Sequence, residues 1–433
     1  MFNNGIVAAM EDENAANQTE LAIDEAGADS MEADLVETVD LAANIDQGTS
    51  EVERTMKDAD QLERHVEVLT EAEGEGGASP EVVETTEIAV EHIYNRLGIY
   101  GKTGIPAMES FTTVHGKASN TRVAIEAISE NIKRIWEAVK MAFKKLVNYV
   151  KDFFAKLFDA NAKMLSRVTS LRAKVAAVKG NPGKNVPASG IKGVVNSADL
   201  KNAKQGAGVG QISAAAKGMS ELANEIPAAV KGVESDAAFN AYSYSPTGKP
   251  AAKAQAPDGM QWTALMTVGT ATVALLEPKA AKKGKEAYAA AQKASAKVFK
   301  AEAKGDGNLP VLDVASMKAV LDGVEESVKE LMNQKSTIAT AQSNLDKAVA
   351  EINKIASGGD KEDKELSNRS TTVRGAVTSM ANAAIKGLTL TGSEVARVCQ
   401  GYLTYVERSA ASYSESAKDK DAGGDNKDGE GKK

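Results

Sequence analysis

The segment Asn131–Phe158, "NIKRIWEAVKMAFKKLVNYVKDFFAKLF", decides the fold class of this chain. Apolar side chains recur in it every three or four residues, which is the spacing of one face of an α-helix. The lysines lie mostly off this stripe. The pattern extends over about residues 118–178 and predicts one long amphipathic helix with a basic polar face. The stripe consists of Ile128, Ile132, Ile135, Val139, Phe143, Leu146, Val150, Phe153 and Leu157.

The composition of the whole chain agrees with a helical fold. Of its 433 residues, 42% are apolar and only 4% are aromatic, and much of the apolar share is alanine. Such residues build thin seams between helices, and alternating Val/Ile/Tyr runs typical of strands are scarce. We therefore predict an all-α, elongated multi-helix protein.

A heptad of apolar residues begins near the C-terminal third of the chain. It runs from Val314 to Ile352 and contains only two polar positions, Lys335 and Gln342. This pattern predicts one long coiled-coil-like helix. After the helix stop at 356–360, a returning apolar stripe predicts an antiparallel helical hairpin, with a further helix at about 393–412 and a disordered tail.

The remaining segments are assigned from their composition and from the residues that begin or end a helix. Residues 1–50, with twelve acids and no base, favour disorder or a marginal helix. A helix from Val52 and a second one begun by Ser79-Pro80 follow, and the alanine-rich residues 261–302 are predicted to be one or two helices. The predicted domains are the ranges 1–109, 110–180, 181–310, 311–413 and 414–433.

Charge divides the chain into two unequal parts. Residues 1–109, called the leader below, contain 26 acids and 5 bases, a net charge of −21. Residues 110–433, called the body, contain 34 acids and 47 bases, a net charge of +13. Blocks of this asymmetry indicate partners of opposite charge, or one block that masks the other.

Motifs of catalysis and metal binding are absent from the sequence. The chain has one cysteine, Cys399, and the spacing of His65, His92 and His115 fits no metal site. The acids around His92 are better explained as a solvated helix face. We predict neither enzyme activity, nor a cofactor, nor a metal.

Two lysine-rich segments each have more than one interpretation. The helix at 131–158 is an ordinary bundle helix with a solvated face, a surface for DNA phosphates, or a membrane-binding helix. The segment 278–300 has the composition of a DNA-packing tail or of a soluble lysine-rich helix. The candidate phosphate contacts are Lys133, Lys140, Lys144, Lys145, Lys151, Lys282, Lys283 and Lys285.

The stretch "GIPAMESF" (104–111) lies where the charge changes sign. Its glycine and proline disfavour regular structure, so Ala107, Met108, Glu109 and Ser110 are expected to be exposed and extended, as a protease substrate must be. A similar small-x-Glu tripeptide, Ser30-Met31-Glu32, occurs within the leader.

This organisation resembles that of the internal head (inner body) proteins of giant tailed phages related to phiKZ. The resemblance rests on the acidic leader, the small-x-Glu junction "AMES" and the basic helical remainder. It implies that a prohead protease cuts after Glu109, leaving Ser110 as the new N-terminus, with Ser30-Met31-Glu32 as an earlier site. It also implies a structural virion protein that is assembled in the host cytoplasm and lies inside the capsid with DNA.

The expected partners follow from the same resemblance. They are the prohead protease, other capsid or inner-body proteins, nonspecific DNA, and further copies of the chain through its helices. The alternative is a membrane-active or host-interacting helical protein that is delivered with the genome, using the helix at 131–158 or the hairpin at 314–410.

Overall fold

A computed structural model provides the fold of the protein. It describes residues 4–98, 103–188, 191, 209–248, 254–300, 308–357 and 364–421. The all-α prediction is confirmed, because helices dominate these residues and the strands are few and short. Among the described residues, no helix is long and apolar enough to cross a membrane.

The N-terminal half consists of two very long helices with a shorter one between them. They are α1 (Asn4–Gly74), α2 (Pro80–Leu97) and α3 (Val114–Ala177). Of the two alternatives for residues 1–50, the helical one holds from Asn4 onward, and residues 1–3 lie outside the described part. The start predicted for α2 is confirmed, because Ser79 accepts a hydrogen bond from the Val82 amide and Pro80 follows it.

The predicted amphipathic helix is confirmed as α3. All nine apolar residues of its stripe are buried, and they face α1 and the C-terminal helices. Thr113 caps its first turn by accepting a hydrogen bond from the Gly116 amide. The apolar face that the membrane interpretation requires is therefore part of the protein core.

The middle of the chain holds most of the β-structure. Two short antiparallel pairs join β1 (Asn185–Pro187) to β7 (Asn308–Pro310) and β2 (Ser243–Tyr244) to β5 (Lys282–Lys283). The other elements in chain order are α4 (Val209–Val230), α5 (Asp236–Ala241), β3 (Met260–Val268), β4 (Ala271–Pro278), α6 (Gly284–Ala291) and β6 (Ser295–Lys300).

The helices predicted for residues 261–302 are wrong for most of this segment. Only α6 is helical, and β3, β4 and β6 form an antiparallel sheet in the order β3-β4-β6. Gly269 has a positive φ of 53° and begins the two-residue turn between β3 and β4, which is typical of a hairpin. The Thr and Val residues beside the alanines favour strands because β-branched side chains pack well on a pleated surface.

The C-terminal part differs from the predicted pair of helices in two places. The heptad is divided between α7 (Val314–Asn333) and α8 (Lys335–Ser357), because the chain leaves the helix at Gln334. Its described apolar positions are buried or half-buried, whereas Lys335 is exposed. An ammonium group must stay in water, so the apolar stripe is interrupted at this point.

The last helix, α9 (Lys364–Asp421), is continuous and packs against α1, α3, α4, α6, α7 and α8. The separate helix predicted after Gly392 is wrong, because Gly392 lies inside α9. A Cβ atom there would lie 2.5 Å from Leu157 Cδ2, so the glycine allows α9 to approach α3 closely and does not end a helix. The predicted tail begins inside this helix, and residues 422–433 lie outside the described part.

Candidate processing site and leader–body interface

The predicted cleavage site is an exposed turn. Ala107, Met108, Glu109 and Ser110 are all exposed, as the sequence predicts. They are not extended, since Met108–Phe111 form one turn of 3-10 helix, and the Ser110 amide donates a hydrogen bond of 2.8 Å to the Ala107 carbonyl. The turn forms because the chain must bring Phe111 into the core while its neighbours stay in water.

Both sides of this turn are anchored to the fold. Thr103 is buried before it, and a Cβ atom on Gly104 would lie 2.8 Å from Ala127 Cβ of α3. Phe111 is fully buried after it, and the Asn120 side chain donates a 2.8 Å hydrogen bond to the Ser110 carbonyl. The Glu109–Ser110 bond thus lies on a short exposed segment that α3 holds at both ends.

The earlier candidate site lies in a different environment. Ser30, Met31 and Glu32 are within α1, and Met31 is only 1% exposed. The side chains of Ser30 and Glu32 lie outside the described residues. A protease requires an extended backbone, so this part of α1 must unwind before it can be cut.

The leader and the body share one apolar core. From Met31 onward, α1 places a stripe of buried side chains against α3 and α9. The turn after α1 also touches the body, because the Ala78 amide donates a hydrogen bond of 2.9 Å to Thr121 Oγ1. The buried members of the α1 stripe are Met31, Leu35, Ile45, Val52, Met56, Ala59, Leu62 and Leu69.

Ion pairs between the two parts accompany this core. The α1 acids pair with bases of α3 and α9, and each pair joins the leader to the body. The pairs on α3 are Asp34–Lys163 (2.5 Å) and Glu37–Lys156 (2.9 Å), and those on α9 are Asp46–Lys386, Asp60–Arg374 (3.0 Å) and Glu63–Arg374 (2.5 Å).

Arg374 is the most buried base of this interface. Its side chain is 3% exposed, and its guanidinium carbon lies 4.1 Å from the centre of the Trp136 ring. The indole N–H of Trp136 donates a 3.0 Å hydrogen bond to Glu63 Oε1. Glu63 Oε2 accepts hydrogen bonds from Thr371 and Arg374 of α9, so its two carboxylate oxygens join α3 to α9.

The second acid at Arg374 has a different environment. Burial raises the pKa of Asp60 from 3.8 to about 6, although the nearby Arg374 opposes this shift and Glu63 adds to it. Sequence reasoning did not single out Asp60, Glu63 or Arg374. The signal available to it was the charge asymmetry, which predicts masking but does not say which residues meet.

The candidate DNA contacts are distributed over separate elements. On α3, Lys133, Lys144 and Lys145 are exposed, whereas Lys140 and Lys151 pair with Glu137 and Asp346. Lys282 and Lys283 are in β5 and Lys285 is in α6, and Lys282 pairs with Glu286. The exposed α3 lysines agree with a solvated basic face and leave contact with phosphate open.

The structure offers no metal centre in the described part of the chain, where no group of three or more His, Cys, Asp and Glu residues converges. His92 is exposed, in agreement with the solvated helix face. Cys399 is buried in α9, and burial raises the pKa of its thiol to about 12.

The comparisons with known proteins identify the family. The family model of the phiKZ-like phage internal head proteins matches residues 12–408, which include most of the leader and most of the body. Comparison with curated proteins and with solved structures gave no match. The chain therefore belongs to the phiKZ-like phage internal head proteins, and its family is one of proteins inside the phage head.

Proposed function

We propose that this internal head protein is made as a precursor, and that a prohead protease cuts it between Glu109 and Ser110 during maturation of the head. The remaining body of 324 residues then acts as a structural protein packed with the DNA. The protease, other inner-body or capsid proteins and further copies of the chain are its proposed partners. Assembly takes place in the host cytoplasm, and the chain has no enzymatic role.

The observation that carries the proposal is the exposed turn at the change of charge. A protease must bind several consecutive residues in an extended form, and Ala107–Ser110 are accessible between two anchored segments. Only one turn of 3-10 helix needs to open, and its hydrogen bonds are few. Elsewhere the acids of the leader lie mainly in α1 and α2, where cleavage would require a longer helix to unwind.

The charges suggest why cleavage precedes DNA packing. With the leader attached, several bases of the body are paired with leader acids, and the whole chain has a net charge of −8. Without the leader the net charge is +13, so phosphate contacts become favourable and independent of base sequence.

The first test is the intact mass and N-terminal residue of this protein isolated from native particles. We expect a chain that begins at Ser110. A chain in particles that begins at Met1 or Phe2 would overturn the proposal. In an infection, the variant Glu109→Gln should remain uncut, whereas Glu84→Gln, an exposed leader substitution with the same charge change, should be processed normally.

DNA binding is tested with the processed chain from particles and the full-length precursor. The processed chain should bind DNA of any sequence, and its affinity should fall steeply with salt. Replacing Lys133, Lys144 and Lys145 by Gln should reduce the salt slope by up to about 3. The matched control replaces Lys217, Lys318 and Lys347, which are exposed on other body helices. An equal loss in the control would contradict a specific role of the α3 lysines.

The membrane alternative has little support in the fold. The apolar face of α3 that would enter a bilayer is buried against α1 and α9, so the helix would first have to leave the core. The hairpin proposed as a host-binding arm is likewise part of the core, because most of the side chains described for α9, those of residues 368–413, are buried.

A further inference from the structure

α1 contacts the body along much of its described length, whereas the protease would cut a single peptide bond. Eight apolar residues of α1 are buried in the shared core, spread from Met31 to Leu69. The Glu109–Ser110 bond lies beyond α2, outside this contact. Cutting it removes one covalent link and none of the side chains that make this contact.

The body side of this contact has the features of a binding site for one kind of ligand. The seam between α3 and α9 is apolar along its floor, where α1 buries its stripe. Bases lie beside it at intervals along both helices, namely Lys156, Lys163, Arg374 and Lys386. An apolar seam flanked by bases fits an amphipathic helix with an acidic polar face.

The spacing of the pairs shows that the ligand must be a long helix in one register. Asp34, Asp46 and Glu63 lie on successive parts of α1 and meet Lys163, Lys386 and Arg374 respectively. Shifting α1 by one residue would rotate its apolar stripe out of the seam and separate these pairs. The arrangement therefore selects this helix among the acidic helices of the chain.

We propose that the α3–α9 seam is a binding site for an acidic amphipathic helix, and that the leader stays bound there through α1 after the Glu109–Ser110 bond is cut. The proposal rests on the cleavage proposed above. It makes processing a two-step event, in which cleavage comes first and release of the leader second. Masking of the body's bases ends at the second step, so DNA binding follows release and not cleavage.

The experiment tests whether the leader stays bound after cleavage, and it does not depend on the phage protease. The recognition sequence of a sequence-specific protease is inserted between Glu109 and Ser110 of the full chain, and the folded protein is cut and analysed by gel filtration with mass spectrometry. We expect both fragments in one peak at physiological salt, with the DNA affinity of the uncut chain. Separate elution of the fragments would overturn the proposal. Intact chains in native particles would overturn the proposed function alone.

A pair of matched variants tests the seam itself. In the cut chain, Glu63→Gln with Asp34→Asn should raise the rate of leader release by roughly 30-fold or more, because truncating a buried, hydrogen-bonded charge acts mainly on dissociation. Glu84→Gln with Glu91→Gln changes the leader charge equally at exposed sites on α2 and should have little effect. Equal release rates would overturn the assignment of the seam. If the first variant misfolds, Lys163→Gln alone tests the rim of the seam, where the release rate should rise only about 2-fold.

Discussion

The leader helix α1 and the body helix α4 both pack on α9, but by different chemistry. On α1, Asp46, Asp60 and Glu63 pair with Lys386 and Arg374 of α9. On α4, the contact is apolar and close, and a Cβ atom on Gly387 of α9 would lie 2.1 Å from the sulfur of Met219. The leader is thus held by charge around an apolar seam, and α4 by interlocking shape.

This difference means that α1 can be released or replaced more easily than α4. Salt weakens exposed charge pairs, and other charges can replace them, whereas a change of side-chain volume in a close-packed contact is costly. The first kind of contact suits the leader if it leaves during maturation, as proposed above. The following predictions test the distinction, beginning with the packing contacts and ending with the weakest pair.

The largest effect is expected at a close helix contact. In Gly392→Leu the new side chain would collide with Leu157 of α3, since even a Cβ atom would lie 2.5 Å from its Cδ2 atom. Overpacking of this kind should lower the free energy of unfolding by about 3 kcal/mol. Gly74→Leu, at a helical glycine with no atom within 4 Å of the added Cβ, is the control. Denaturant unfolding of both variants measures the effect. Similar losses of unfolding free energy in the two variants would show that the close approach of α9 to α3 at Gly392 is not the cause of the destabilisation.

The next effect concerns the most connected acid of the leader. Glu63→Gln should destabilise the chain by about 3 kcal/mol at neutral pH, because Arg374 would lose a charged partner in a buried site. The measurement is denaturant unfolding, with Glu84→Gln as an exposed control. A loss below that of the control would show that Glu63 is not needed to hold α1.

Asp60 should behave in the opposite way from Glu63. Because its folded pKa is about 6, above the unfolded value of 3.8, folding favours its neutral form. The charged form therefore lowers stability above about pH 6, by up to roughly 3 kcal/mol, and this penalty disappears as the pH falls toward about 4.

Asp60→Asn should thus be neutral or stabilising at about pH 7.5, with Glu63 still paired to Arg374. Its advantage over the wild type should shrink at about pH 5, where Asp60 itself becomes protonated. Unfolding free energies at the two pH values provide the measurement. A destabilised Asn variant at the higher pH would show that the pairing of Asp60 with Arg374 outweighs its burial.

The smallest effect is expected at the rim of the seam. Asp34→Asn removes the ion pair with Lys163, whose side chain is 37% exposed, and should cost only about 0.5 kcal/mol. Raising the salt concentration should reduce this difference further, because exposed charges are screened. Asp40→Asn, at an exposed position of the same helix, is the control. A loss of unfolding free energy as large as that of Glu63→Gln would contradict the expectation that rim pairs contribute least.

The candidate site was predictable to the extent that it is local. Gly104 and Pro106 prevent a long helix, and exposure of Ala107–Ser110 follows from that. The 3-10 turn was not predictable, because it depends on Phe111 entering a core formed by distant segments. The sheet at β3, β4 and β6 was missed for a related reason, since alanine is compatible with both strand and helix until its neighbours are known.

The amino-acid sequence by itself determined the helical class, the apolar face of α3, the cap of α2 and the position of the change in charge. Each of these depends on residues a few positions apart, whose spacing fixes a face or a turn. Only the tertiary structure decided that Gly392 lies within a helix and that Glu63 meets Arg374. Those two residues are 311 positions apart, and only the packing of α1 and α9 in one core brings them together.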